Sequence, residues 1–201
     1  TTLSLANGTV GPQIGLTPGE CYVEVNVTST IPGNLINTIP AGNLASQGLD
    51  GGVTVPISNT TPASATLTVV AVSPPSLSKS FSPNTIYVGE ISQLTIRINN
   101  NDSDTNLTNA AYTDTLPTGL VLATPVSPAV TNCGAGYILN AVAGTNTIAL
   151  SAATVTPGLD CLVTVNVTGI AGPYTNTIPA GPGGPGSLTT QQGVTNGSPA
   201  S

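Results

Sequence analysis

PPSLSKSFSPNTIYVGE, residues 74–90, opens on a pair of prolines and then alternates. Leu77, Lys79 and Phe81 point to one face of an extended strand, and Ser76, Ser78 and Ser80 to the other. The alternation marks the first strand of a β domain, and the prolines before it mark a joint between domains. Lys79 is the only lysine of the chain and shares the apolar face, where an ammonium needs a partner.

Downstream, the same period-two pattern recurs between turn signals. Strands are expected near residues 76–81, 85–88, 91–99, 107–115, 119–123, 136–140, 146–152, 160–168, 173–178 and 188–196. In ISQLTIRIN, Leu94, Ile96 and Ile98 form the inward face and Arg97 points to solvent. In CLVTVNVT the inward face is Cys161, Val163, Val165 and Val167. Ser82 with Pro83, Pro117–Gly119 and Pro157 with Gly158 separate short strands at the spacing of a two-sheet sandwich. The expected fold is all-β, with immunoglobulin-like β-sandwich modules in tandem.

The tandem arrangement is written in the sequence itself. TPGECYVEVNVTSTIPGNLINTIPAG, residues 17–42, and TPGLDCLVTVNVTGIAGPYTNTIPAG, residues 156–181, share a cysteine, VNVT and NTIPAG. VTVPISNTTPAS, ending at Ser64, likewise corresponds to QQGVTNGSPAS, ending at Ser201. The offset is 140 residues at the cysteines and 137 at the serines, which sets the module length. Residues 1–72 are then the later part of one module, ending in the alternating ATLTVV of residues 65–70. Residues 73–201 form a second module that lacks this last strand.

Composition excludes several classes of function. The chain has 201 residues, two Lys or Arg against eight Asp or Glu, and no His. Lys79 and Arg97 alone cannot neutralise a nucleic-acid backbone or an anionic membrane surface. No run of about 18 apolar residues predicts a membrane span. Without His there is no Ser-His-Asp set, and three Cys without His make a poor zinc site. With no Trp and one Phe, a sugar-binding or small-molecule cleft is not expected either. Asp102 and Asp104 in NNNDSDTN, residues 99–106, are candidate calcium ligands, but a solvated hairpin tip is the simpler reading. The expectation is a non-enzymatic protein without cofactor or metal.

The strings SLSKSFSPNTIYVGE, QLTIRINNND, AAYTDTLPTGLVLATP, NCGAGY, LDCLVTVNVT and NTIPAG together resemble the bacterial conserved-repeat domain, an immunoglobulin-like module of surface proteins with no assigned activity. The resemblance spans residues 74–201, with 1–72 as a partial copy. It implies an extracellular bacterial location, tandem copies and no catalysis. In an exported protein Cys133 and Cys161 are expected to form a disulfide worth roughly 3 kcal/mol, the alternative being two buried thiols. Cys21 is the counterpart of Cys161 and finds no counterpart of Cys133 within the chain. Either the chain is part of a longer array, or Cys21 reaches another molecule, or it stays free.

Lys79 has two readings. One is an ion pair with Asp114 or Glu90. The other is an intramolecular isopeptide bond, as in immunoglobulin-like domains of bacterial pili, with Asn196 as acceptor and Asp114, or secondly Glu90, as proton shuttle. Function is expected to be structural: a subunit or repeat segment of an extracellular, pilus-like filament, its partners copies of itself joined head to tail. TTLSLA, residues 1–6, has the pattern of the lacking strand and is a candidate for donor-strand complementation, although TTLSLANGTV also aligns with TIALSAATV at residues 147–155. The alternative role is a stalk or spacer of a large adhesin or surface-layer protein.

Overall fold

A computed structural model of the chain describes residues 3–12, 14, 17 and 19–201. The described residues contain strands and turns but no helix, and they divide into two compact units, residues 1–71 and 72–201.

The first unit holds two antiparallel ribbons. β1 (Gly33–Ile39) pairs with β4 (Ala63–Val69), and β2 (Ala45–Asp50) pairs with β3 (Val53–Ser58). The β1–β4 register runs from Gly33 opposite Val69 to Ile39 opposite Ala63. None of the described residues of this unit is buried, and Ile36, Ile39, Ile57 and Leu67 all lie exposed. Thr1 and Thr2, the first residues of the candidate donor strand, lie outside the described residues, and residues 3–6 are exposed and form no strand.

The second unit is a β-sandwich. One sheet runs β5 (Ser76–Ser82), β6 (Ser92–Asn99), β12 (Asp160–Gly169), β8 (Leu120–Leu122), with β9 (Ala129–Thr131) also on β12. The other runs β10 (Ile138–Ala141), β11 (Thr147–Val155), β7 (Leu107–Thr115). The sequence forms these strands because inward positions are mostly apolar and outward ones mostly polar. Leu94, Ile96 and Ile98 of β6 and Cys161, Val163, Val165 and Val167 of β12 are all at most 1% exposed. They meet Ala110 and Tyr112 of β7 and Ile148, Leu150, Ala153 and Val155 of β11 in one core. At about 25 cal/mol per Å² of apolar surface, this interior is the main stabilising term of the unit. The Cys133–Cys161 disulfide sits inside it, with Cα atoms 4.6 Å apart.

Three expected strands do not form as such. Residues 85–88 make an exposed turn in which the Glu90 carboxylate accepts the Tyr87 N–H at 3.0 Å. Residues 173–178 form no strand and end in a bridge from Ile178 to Ala200, while residues 188–196 bridge Ala111 through Thr189 and then turn at 191–193, where the Gly193 N–H donates to the Thr190 carbonyl. Gly186 explains why the second run still lies close along β7: its carbonyl accepts the Thr113 N–H at 3.1 Å, and a Cβ at Gly186 would stand 2.1 Å from the Thr113 carbonyl oxygen. β9, not expected from the sequence, pairs with the free edge of β12.

Candidate functional site

β5 is the edge strand of its sheet, in register with β6 so that Leu77, Lys79 and Phe81 lie opposite Ile98, Ile96 and Leu94. This register forces Lys79 onto the buried face, because its cross-strand neighbours are core residues. The lysine stem and head are only 1% exposed. β7 belongs to the other sheet and turns Asp114 inward between Tyr112 and Leu116, all three buried. Across the sandwich, Lys79 Nζ donates to both oxygens of the Asp114 carboxylate, at 2.7 Å to Oδ1 and 2.8 Å to Oδ2. Burial lowers the lysine pKa below its usual value, while the charge and hydrogen bonds of Asp114 oppose that shift.

A third side chain completes the group. After β12 the chain bends past Tyr174, whose hydroxyl donates to the Ile170 carbonyl at 2.7 Å and to that of Gly119 at 3.3 Å. Gly119 is needed at that contact: its φ is +96°, and a Cβ there would lie 2.7 Å from the Tyr174 oxygen. The run Tyr174, Asn176, Ile178 then points inward, and Asn176 Nδ2 donates to Asp114 Oδ2 at 2.8 Å. Asn176 Oδ1 is buried and accepts no hydrogen bond, and the buried Tyr112 hydroxyl likewise has no partner. Burial, and secondarily the charge of Asp114, push the Tyr112 phenol well above its ordinary pKa, so it stays neutral.

The sequence reading placed Asn196 here, and the structure puts Asn176 in its place. Asn196 is fully buried but serves its own loop: Oδ1 accepts the Leu188 N–H at 3.0 Å, and Nδ2 donates to the carbonyls of Pro179 and Ser198, each at 2.9 Å. Asn59 in the first unit holds Leu44, Pro40 and Thr61 in the same way. Both amide ends are consumed by backbone, so neither residue is available to an amine. Glu90, the second candidate partner, binds only its own turn. Asn176 carried a readable signal in YTNTIP, where it interrupts an apolar alternation as Lys79 does.

Elsewhere, Arg97 is half exposed and pairs with Asp160, which Asn99 also contacts at 2.7 Å; these hydrogen bonds hold the Asp160 carboxyl below its usual pKa. Asp102 accepts backbone N–H groups from Ser73, Asp104 and Thr105 at 2.8–3.0 Å, which lowers its pKa from 3.8 to about 2. The aspartate is therefore a loop clamp. Among the described residues no group of three or more His, Cys, Asp or Glu is placed to hold a metal ion. Cys21 is exposed and outside any disulfide among the described residues. A groove of about 620 Å³ beside Phe81, Ile86, Tyr87, Leu120 and Tyr174 is lined mainly by apolar side chains.

The second unit is thus an all-β sandwich with a disulfide-bonded core and a buried lysine, carboxylate and amide. Residues 75–201 match the family model described as Domain of unknown function (DUF7933), and the chain belongs to that family. No curated protein matches the chain.

Proposed function

We propose that the chain is a structural, non-catalytic repeat segment of an extracellular bacterial surface filament, built from immunoglobulin-like modules joined head to tail. The observation that carries this reading is one corner repeated in both units. Ile39 pairs with Ala63 in the first unit, and Ile178 bridges Ala200 in the second. The neighbouring Asn59 and Asn196 anchor their loops through the same set of backbone groups. In the first unit the pairing continues along β4 through Leu67 and Val69. The same continuation in the second unit would seat a strand of ATLTVV pattern along residues 172–177. Strand addition of this kind joins modules through backbone hydrogen bonds and alternate side chains, whether the strand comes from the same chain or from a neighbouring copy.

The test supplies a synthetic peptide of residues 64–70 in trans to the full chain. Binding that raises the unfolding midpoint, and is abolished by proline in place of Leu67, is the expected result. A peptide without effect, on a chain that stays monomeric at high concentration, would contradict head-to-tail strand addition and leave a stalk or spacer as the better description.

A further inference from the structure

We propose that Lys79 and Asn176 become joined by an intramolecular isopeptide bond, with Asp114 as the proton carrier. The inference stands apart from the array reading, because it rests on three side chains within one unit. Lys79 Nζ and Asn176 Nδ2 both lie 2.8 Å from the same oxygen, Asp114 Oδ2, so the amine and the amide are neighbours across one carboxylate. The Lys79 and Asp114 side chains and Asn176 are all 2% exposed or less, and Tyr112, alongside, is 3% exposed. Water is excluded, and the amide oxygen has no hydrogen-bond donor of its own.

That unmatched oxygen is what the reaction uses. In a dry site the ion pair relaxes by moving one proton from the ammonium to the carboxylate, giving a neutral amine and a carboxylic acid. A half-turn of the Asn176 amide then presents Oδ1 to the acid proton, which polarises the carbonyl. The Nζ lone pair attacks Cγ of Asn176. Asp114 accepts a proton from Nζ and delivers one to Nδ2, the Cγ–Nδ2 bond breaks, and ammonia departs. An ammonium, a carboxylate and a primary amide have become a secondary amide, ammonia and a carboxylic acid, with atoms and charge conserved and no oxidant needed. Exclusion of water keeps the product from hydrolysing. The neutral Tyr112 phenol adds no competing charge.

The bond ties edge strand β5 to the segment that follows β12, closing a loop that contains most of the unit. Its test uses the fact that Lys79 and Arg97 are the only tryptic sites of the chain. The full-length protein is denatured, reduced with thiol and digested with trypsin. The expected result is cleavage after Arg97 alone, with residues 1–97 and 98–201 still joined and the mass of the undigested, reduced chain short by one ammonia. Tandem mass spectrometry then places the junction at Lys79 and Asn176. Separation into 1–79, 80–97 and 98–201 overturns the proposal. So does an ammonia loss without joining, which a cyclised asparagine such as Asn196 before Gly197 would give, and so does a junction at Asp114 with loss of water. Lys79→Met and Asn176→Ala are each expected to abolish the joined product. Since the wild-type digest alone decides the matter, a variant that fails to fold leaves the result intact.

Discussion

As an ion pair, before any tie to Asn176, Lys79 and Asp114 are mutually dependent, because among the described residues each is a buried charge paired with the other alone. Removing one partner strands the second in a dry interior, at about 3–5 kcal/mol, whereas replacing both with apolar residues of similar volume is close to neutral. Asp114→Ala is therefore expected to lower the denaturant midpoint sharply, by stranding the Lys79 charge and by removing the proton carrier of the proposed tie, and the double variant Lys79→Met, Asp114→Leu to recover only the part due to the stranded charge. Asp102 gives a prediction of a different kind. Its folded pKa is depressed from 3.8 to about 2, so its stabilising contribution is present above 3.8 and is lost as pH falls through that window. Asp102→Ala should lower stability at neutral pH and flatten its decline between those values, as followed by acid titration of the unfolding midpoint. Of the buried group, Lys79 was legible as a polar residue on an apolar face and Asp114 as its partner, whereas the choice of Asn176 over Asn196 beside them was not. Asn176 and Asn196 both sit on inward faces, and local alternation cannot say which of two buried amides is consumed by its own loop. That depends on how residues 182–188 fold back, with Leu188 N–H reaching Asn196, which no local pattern encodes.

At the scale of strands, sequence and structure agree best in the long central runs where polar residues alternate with large apolar ones. β6, β7 and β12 lie at or within a residue or so of the expected bounds, and the inward faces of β6 and β12 are the expected ones. Agreement fails at TIYV, residues 85–88, where the apolar pattern exists but Tyr87 and Val88 are exposed and the chain is turning. Strand propensity without a sheet edge to pair with makes a loop. Within the sandwich, the Cys133–Cys161 disulfide joins the loop after β9 to β12 across 28 residues of chain. Cys133→Ser with Cys161→Ser is expected to cost roughly 3 kcal/mol by chemical denaturation. Val163→Ala, at the centre of β12 and 1% exposed, should cost about 1–3 kcal/mol through lost burial and the cavity it leaves.

For the whole molecule, the two units differ in what they bury. Ile39 is 50% exposed and its counterpart Ile178 is fully buried, although both hold the same bridge. Local sequence makes the corner, and the surrounding strands make the core. Amide hydrogens of β1 to β4 are therefore expected to exchange far faster than those of β6, β7, β11 and β12, as read by hydrogen-exchange mass spectrometry. The repeat was visible in the sequence for the same reason: NTIPAG and the Asn-anchored loop are local devices that both copies need. The proposed covalent tie between Lys79 and Asn176 would give the second unit its mechanical character, because force applied at the chain ends would pass through that bond and leave residues 80–175 unloaded. Pulling single full-length molecules from their two ends under thiol measures this directly. The account predicts no lengthening from that segment at any force that leaves covalent bonds intact. A release of roughly 330 Å, those residues extended at about 3.4 Å each, would contradict it.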